Sequence, residues 1–310
     1  MIASYQRPAD LLRCIDALDR QIPPIDDVVV VRRDIDAATA AALAGRPTSA
    51  VPVRVVVVAA PGSVVARNAG LDACTTDILG ILDDDTVPHP DWAARIVAHF
   101  DRDPTLGGLG GRDQLFSGGA FLTPYKTTVG RIEWAGRIVV DHHLGIGPPR
   151  RVDMLKGANM SFRARAFAHV RFDSRLRGRG AQPYDDLKFT LDVRRAGWTI
   201  LYDPAVLVDH YPGRATETRH YVHLGPVRDL DGFDAMMHNE VLALWDELSP
   251  PRRVVFAVWS LLVGTRQAPG LVQAVRFTPR LGWASWTRFA LAQKLKFRAM
   301  RQIGRPAGAC

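Results

Sequence analysis

From residue 1 to residue 100, short β-branched runs alternate with segments of helical periodicity, and this limits what the chain can fold into. Residues 27–31 and 53–58 are dense in valine, and 78–82 form a third apolar run. The first reads as a buried strand, and the other two as a second and a third strand. Between them, Pro8 can occupy the first turn of a helix carrying Leu11, Leu12, Ile15 and Leu18. Asp36 is placed to cap an alanine-rich helix reaching Ala44. Residues 61–74 read as a helix, and 90–100 as another with Trp92, Ile96 and Val97 on one face. Strands joined by helices of this length make βαβ crossovers and a central, mostly parallel sheet, so the predicted class is α/β.

The remainder is less regular. Residues 107–149 are rich in glycine and read as loops and mixed strands. Residues 184–196 have a helical pattern closed by Gly197 in the C-cap position. Residues 198–202 and 206–208 read as short strands, and the pattern is helical from Phe233 onward. The first strand, Met1-Ile2-Ala3, is shorter than the usual strand of about five residues. Either the sheet starts with a stub or the start lies upstream of Met1, and the second is expected.

With 310 residues, 47% of them hydrophobic, the chain can bury a full core without staples. Cys14, Cys74 and Cys310 form no CxxC pattern and leave an odd thiol, which argues against a disulfide framework or a zinc knuckle. The opening MIASYQRPAD has no apolar core of a signal peptide. No stretch reaches the roughly 20 apolar residues that a spanning helix needs. The net charge of +8 is unevenly spread. From Leu248 onward there are eleven Lys or Arg and no Asp or Glu, whereas the first 247 residues hold 29 basic and 32 acidic groups. A near-neutral body thus carries a strongly basic tail, which points to an anionic partner for the tail alone.

The strongest chemical signal follows the third strand. Ile78-Leu-Gly-Ile-Leu82 runs straight into Asp83-Asp84-Asp85. In open α/β sheets, ligands bind beyond the carboxyl ends of strands. Adjacent carboxylates repel one another unless a cation offsets them. Oxygen donors suit Mg²⁺ or Mn²⁺, ions that also bind substrate phosphates. A bare acidic triplet is otherwise a solvated turn, but the strand before it and Pro88-His-Pro-Asp-Trp92 after it favour a site. Asp185 and Asp186 open a helix, where an acidic first turn is ordinary. His210 follows an apolar strand and reads either as a metal ligand or as a buried histidine at the sheet edge. The other histidines show no HExxH spacing.

In order along the chain, these segments resemble the family 2 glycosyltransferases, which have the GT-A fold. The stretch ILGILDDDTVPHPDW resembles the family's DxD region. Ala3-Ser-Tyr-Gln-Arg-Pro8 is similar to its first-strand loop. Pro61-Gly-Ser-Val-Val-Ala-Arg-Asn-Ala-Gly70 is similar to its G-x-x-x-A-R-N-x-G helix, and Gly157-Ala-Asn-Met-Ser-Phe-Arg163 to its G-A-N-M-S-F-R strand. Tyr184-Asp-Asp-Leu187, with Arg194-Arg-Ala-Gly197 behind it, resembles the E-D motif on its helix. Tyr202-Asp-Pro204 and Val208-Asp-His-Tyr211 match the strands that follow. The resemblance implies a catalytic domain over residues 1–215, with a donor half at about 1–112 and an acceptor half at about 113–215, then a helical extension over 216–310.

The resemblance also implies an inverting transfer of a sugar from a nucleotide-sugar donor to an acceptor hydroxyl, in cell-surface polysaccharide or glycolipid assembly. Asp83 would bind ribose or sugar hydroxyls, with Asp84 beside it in the donor site. Asp85 and His210 would bind the metal. Asp186 would be the base that takes the acceptor proton. Asp185 stands where the family has Glu, and with Trp134 and Asn159 it is expected among the acceptor contacts. Further acceptor contacts are expected from Gly110-Gly-Arg-Asp113 and from Lys156 to Asn159. Ser4, Arg7 and Arg67 would cradle the donor's base and diphosphate. The pattern departs at the second strand, where the family's D-D-G-S is replaced by Arg32-Arg-Asp-Ile-Asp36. Asp34 would take the place at the uracil ring, a shift of one or two residues being open. A GDP- or dTDP-sugar therefore stays open beside the favoured UDP-sugar.

In the tail, a projection at about 100° per residue puts Trp286, Phe289, Ala290, Phe297 and Met300 on one arc, flanked by Lys294, Lys296 and Arg301. This is the pattern of an in-plane interfacial helix. It predicts an anionic membrane surface as partner and a cytoplasmic protein peripheral on the inner face of the cell membrane. The competing reading is a helix docked on the catalytic domain. No nucleic-acid-binding motif accompanies the charge, so nucleic acid is not an expected partner. Two other functions compete. A sugar-nucleotide nucleotidyltransferase shares an acidic metal site but carries a Gly-rich basic loop after its first strand. A non-catalytic membrane-associated scaffold would not need Asp83, Asp85 and Asp186. A dinucleotide dehydrogenase is excluded, because no GxGxxG follows a first strand.

Overall fold

The computed structural model describes residues 1–47, 51–212 and 226–304. The chain falls into two compact units. One comprises Met1–Arg131, Val139–Asp173 and Phe189–Arg214; the other comprises Ile132–Ile138, Ser174–Lys188 and Ala215–Cys310. The boundary expected near residue 215 lies outside the described residues.

In the first unit, β1 (Ile2–Ser4), β2 (Val28–Arg33), β3 (Val53–Val58) and β4 (Ile78–Asp83) are joined through α1 (Pro8–Leu18), α2 (Ala37–Ala44) and α3 (Ser63–Asp72). They pair in parallel, in the order β4-β1-β2-β3. Then come β5 (Thr86–Pro88), α4 (Trp92–Arg102), β6 (Leu106–Ser117) and β7 (Ala120–Phe121). A small hairpin of β8 (Arg131–Ile132) and β9 (Ile138–Val139) precedes β10 (Arg150–Arg151), β11 (Asn159–Arg163) and β12 (Thr199–His210). β11 lies antiparallel between β4 and β6, and β6 runs parallel to β12.

The sequence explains these elements. Pro8 occupies the first turn of α1, and Leu11, Cys14, Ile15 and Leu18 fall on its buried face. Asp36 caps α2 by accepting the Thr39 N–H at 3.1 Å. The α1 face packs with Ile2, Val28, Val30 and Leu82 of the sheet and with Trp92, Ile96 and Phe100 of α4. Fully burying each large aliphatic or aromatic side chain contributes about 1.5–3 kcal/mol.

Three expectations are corrected. Val97 does not share the face of Trp92 and Ile96 but is exposed, because Ala93, Ile96 and Phe100 complete the buried stripe of α4. The glycine-rich stretch at 107–111 is not irregular. It forms the buried first half of β6, where close neighbours exclude side chains: a Cβ at Gly108 would lie 2.8 Å from the Phe162 ring. The two short strands at 198–202 and 206–208 are one strand, β12, with a register shift between Asp203 and Leu207. Pro204 has no N–H for the ladder, so pairing lapses there and resumes.

In the second unit, α5 (Asp185–Arg195) begins, and α6 (Leu230–Glu247), α7 (Pro250–Leu262), α8 (Leu271–Leu281) and α9 (Trp283–Ile303) follow. Phe233, Met236 and Met237 of α6 pack with Ala292 and Leu295 of α9. On α9 the buried face is Ser285, Arg288, Ala292, Leu295, Lys296 and Ala299, which leaves the arc of Trp286, Phe289, Ala290, Phe297 and Met300 off that face, with Phe297 exposed. Only Lys296, expected beside that arc, departs, being buried. Lys296 is drawn inward by Glu240 of α6, at 2.9 Å. Among the described residues, no helix is long and apolar enough to cross a membrane.

Candidate active site

The carboxyl ends of β1, β2 and β4 deliver Ser4, Asp34 and Asp83 to one edge of the sheet. The turn after β4 adds Asp84 and Asp85. β5, the short strand beyond that turn, pairs with the end of β12, and Thr86 stands opposite His210. One ligand atom from each of Asp83, Asp85 and His210 lies within 4.8 Å of the others. Asp85 and His210 are buried and Asp83 is half-exposed.

A network of charge surrounds this cluster. Asp84 is buried and accepts from Ser4 Oγ at 2.7 Å and from Arg7 Nη1 at 2.8 Å. The same Arg7 nitrogen reaches Asp85 Oδ2 at 2.9 Å, so one guanidinium spans two carboxylates. Burial pushes the Asp84 carboxyl up to about 7, against the opposing pull of Arg7 and Ser4. His210 faces Asp85 Oδ1 through Nε2 at 3.3 Å, and its Nδ1 meets Asp113 Oδ2 at 3.1 Å. Burial alone would lower the imidazole, but the hydrogen bonds to Asp113 and Asp85 win and raise it to about 9. Asp113 also binds Lys156. Burial would raise Asp113, yet Lys156 and His210 hold it far below the usual carboxylate range.

Arg67 projects from α3 to within 3.4 Å of Asp83 and lies over the Phe172 ring at 5.5 Å. Gly157 makes room for it, since a Cβ there would meet Arg67 Nη2 at 2.6 Å. Asn68, next on the helix, is structural: its amide donates to the Phe172 carbonyl at 2.9 Å and accepts the Phe172 N–H at 2.8 Å. Asp34 is exposed at the end of β2, with its carboxylate accepting the Ile35 N–H. Asp36 is buried instead, holding Thr39 and the Gln6 N–H. Asn159, expected among the acceptor contacts, is buried and fully engaged. It accepts from the Trp92 indole at 2.9 Å and donates to the Val206 and Arg112 carbonyls.

Sequence reasoning placed Asp113 and Lys156 among the acceptor contacts. The structure puts them behind His210, where they orient it. The only sequence signal for this was an acidic residue closing an apolar, glycine-rich strand.

The second unit holds the other expected residues. Asp185 and Asp186 open α5. The Asp186 N–H donates to Asp185 Oδ1 and the Leu187 N–H to Asp186 Oδ1, each at 2.7 Å. Both carboxylates thus sit in the first helical turn, where the macrodipole favours negative charge. Tyr184 precedes them with a φ of +67°, a turn that starts the helix abruptly. Trp134, in the β8–β9 hairpin, has an exposed ring, and its carbonyl accepts from Arg252 at 3.1 Å.

The family model for glycosyltransferase like family 2 matches residues 1–223. The chain belongs to this family. Its likeness to solved structures supports the same GT-A fold. A mannosyltransferase from Pyrobaculum calidifontis in complex with GDP-Man and Mn²⁺ superposes with a TM-score of 0.56 at 15% identity, covering 98% of this chain and 81% of that one. Residues 1–349 of TarS from S. aureus in complex with UDP-GlcNAc give a TM-score of 0.57 at 13% identity, covering 99% and 91%. The pre-mycofactocin glycosyltransferase of Mycobacterium tuberculosis is 47% identical over 45 residues, which is 14% of this chain and 9% of that protein. In this glycosyltransferase, the Asp83, Asp85 and His210 group has the donor set to hold a divalent metal.

Proposed function

We propose that this glycosyltransferase is a metal-dependent, inverting enzyme that moves a sugar from a nucleotide-sugar donor to a hydroxyl. The observation that carries the reading is the convergence of Asp83, Asp85 and His210 at the carboxyl edge of the sheet. Two carboxylates and one imidazole suit Mn²⁺ or Mg²⁺ and leave coordination positions for phosphate oxygens. When bound, the cation would offset charge developing on the leaving nucleoside diphosphate.

The chain's own residues supply the rest. Asp113 and Lys156 keep the His210 ring oriented, as outer partners of a ligand do. Arg7 and Arg67 flank the carboxylates and provide guanidinium groups to the diphosphate. Asp83 takes ribose or sugar hydroxyls, with Ser4 and Asp84 beneath it. With Asp36 committed to its cap, Asp34 is the carboxylate left to meet the base. Asp186 accepts the proton of the attacking hydroxyl, with Asp185 and Trp134 beside the acceptor. Attack from the face opposite the nucleotide inverts the configuration. GDP-Man and UDP-GlcNAc in the solved neighbours support a nucleotide sugar as donor, and a UDP-sugar is favoured. The setting proposed for it is the inner face of the cell membrane, with a glycan or lipid-linked acceptor for surface polysaccharide or glycolipid.

A thermal-shift comparison of UDP, GDP, dTDP and CDP, each with and without Mn²⁺, tests this reading. One nucleotide should stabilise the protein only with the metal, by about 2.7 kcal/mol at a hundredfold excess over Kd. Metal-independent stabilisation, or none by any nucleotide, would overturn it.

A further inference from the structure

The outward faces of α7 and α8 are apolar. On α7, Val254, Val258, Leu261 and Leu262 are exposed, Val254 by 64%. On α8, Leu271, Val272 and Val275 are exposed, and Trp283 at the start of α9 is 82% exposed. Spacings of three and four residues put each set on one helix face, while Phe256 and Ser260, or Ala274 and Phe277, fill the opposite face. The two helices are consecutive, and the turn between them is closed by Thr265 N–H to the Ala268 carbonyl and Gly270 N–H to the Val263 carbonyl. Single exposed leucines are ordinary. A cluster on consecutive helices marks an interaction surface.

The same element carries uncommitted cations. Arg266 from the turn, and Arg276 and Arg280 from successive turns of α8, line a cleft of about 390 Å³ with Phe277. Among the described residues these three arginines have no ion-pair partner, and no acidic residue occurs anywhere from Leu248 to Cys310. Other arginines of the segment are used internally. Arg252, Arg253 and Arg288 bond to backbone carbonyls of the unit, and Arg298 binds Asp234.

We propose that the α7–α8 element docks on an anionic phospholipid bilayer. Its apolar side chains would enter the headgroup–acyl boundary, and the Arg266, Arg276 and Arg280 cleft would receive a lipid phosphate. Apolar surface rimmed by cations is what an interfacial element presents to such a membrane. A second copy of the chain is a poorer occupant, since a symmetric contact through this face would oppose arginine to arginine. The inference stands on the second unit alone and does not depend on the reading of the sugar-transfer site. It adds α7 and α8 to the surface that the sequence placed on α9.

Vesicle co-sedimentation of the full chain tests the proposal. Vesicles containing phosphatidylglycerol are compared with vesicles of phosphatidylcholine alone. The wild type should prefer the anionic vesicles and leave them at high salt. Joint replacement R266A, R276A and R280A should remove the preference, by about five-fold for each arginine. The pair V258D and V272D should weaken retention on the anionic vesicles. Glycerol phosphate alone should not displace the protein. All substituted positions except Arg266 lie on exposed helix faces, and unfolding midpoints confirm that the variants fold. Equal binding to both vesicles, binding to neither, or variants that bind like the wild type would overturn the proposal. So would a solution dimer that V258D dissociates, which would assign the face to a second copy.

Discussion

The carboxyl edge of the sheet and the α7–α8 face treat charge in opposite ways. At the sheet edge, Asp84, Asp85, Asp113 and His210 are all buried, and each meets an opposite or hydrogen-bonding partner. On α7–α8, apolar side chains lie outside and, among the described residues, the arginines of the cleft stand without carboxylates. Buried charge is costly unless paired. A network of three buried carboxylates, a histidine and two cations at a sheet edge therefore reads as a preorganised cation site. Exposed apolar surface beside cations that meet no carboxylate among the described residues is the inverse, and it is the surface proposed above to meet a bilayer. Both regions break the ordinary partition of residues, and such breaks gather at functional places.

The largest effect expected is at Asp85. It sits between Arg7 and His210, so Asp85→Ala removes a ligand and leaves two cationic groups facing each other. Turnover should fall by about 10³-fold or more, and Mn²⁺-dependent nucleotide binding should vanish. Calorimetric titration with and without Mn²⁺ checks it. Unchanged affinity with unchanged metal dependence would place the site elsewhere.

Next comes Asp186→Asn, which keeps shape but cannot accept a proton. It should lower turnover by about 10²- to 10⁴-fold while donor affinity stays near that of the wild type. An equal loss of donor affinity would make Asp186 a binding residue. Asp185→Asn should do less, and the reverse ranking would exchange the two roles.

The contrast sharpens further within the second unit. Glu240 and Lys296 form a buried pair, so Glu240→Ala strands a buried ammonium and should cost about 3–5 kcal/mol. Adding Lys296→Met should restore most of that. Arg276→Ala, on the exposed face, should stay within about 0.5 kcal/mol. Urea unfolding of the four proteins decides it, and a silent Glu240→Ala would mean that Lys296 is not held by this pair.

That pair also shows where sequence reasoning stops. The parallel half of the sheet, the Asp36 cap and the acidic turn after β4 were legible because each depends on neighbours in sequence. The inward turn of Lys296 was not, since a helix buries whichever face its partner matches and Glu240 lies on another helix. Asn159 was expected among the acceptor contacts, but Trp92 and two carbonyls consume its amide. The regularity of β6 was not legible within a stretch read as loops and mixed strands, because glycine signals a loop in isolation. In the sheet it is what lets Phe162 and Val206 approach. Asp113 and Lys156 became legible only once β6 and β12 were paired.

The smallest effect expected is in pH dependence without metal. His210 is raised from its ordinary 6.5 to about 9, so its charged form is favoured by folding. The stability it contributes is fully present below pH 6.5 and is lost as pH rises through about 9. Asp84 is raised from 3.8 to about 7, which favours its neutral form. Its contribution is present below pH 3.8 and is lost as pH rises through about 7. Both act in the same direction, in successive windows. Between pH 6.5 and 9 the histidine part amounts to about 3 kcal/mol. His210→Asn should flatten the fall of Tm in the alkaline window, and Asp84→Asn should flatten it in the acidic one. Saturating Mn²⁺ should reverse the alkaline trend, because a metal ligand must shed its proton. An alkaline slope that survives His210→Asn would locate the titrating group outside the sheet edge and break the contrast drawn between the two regions.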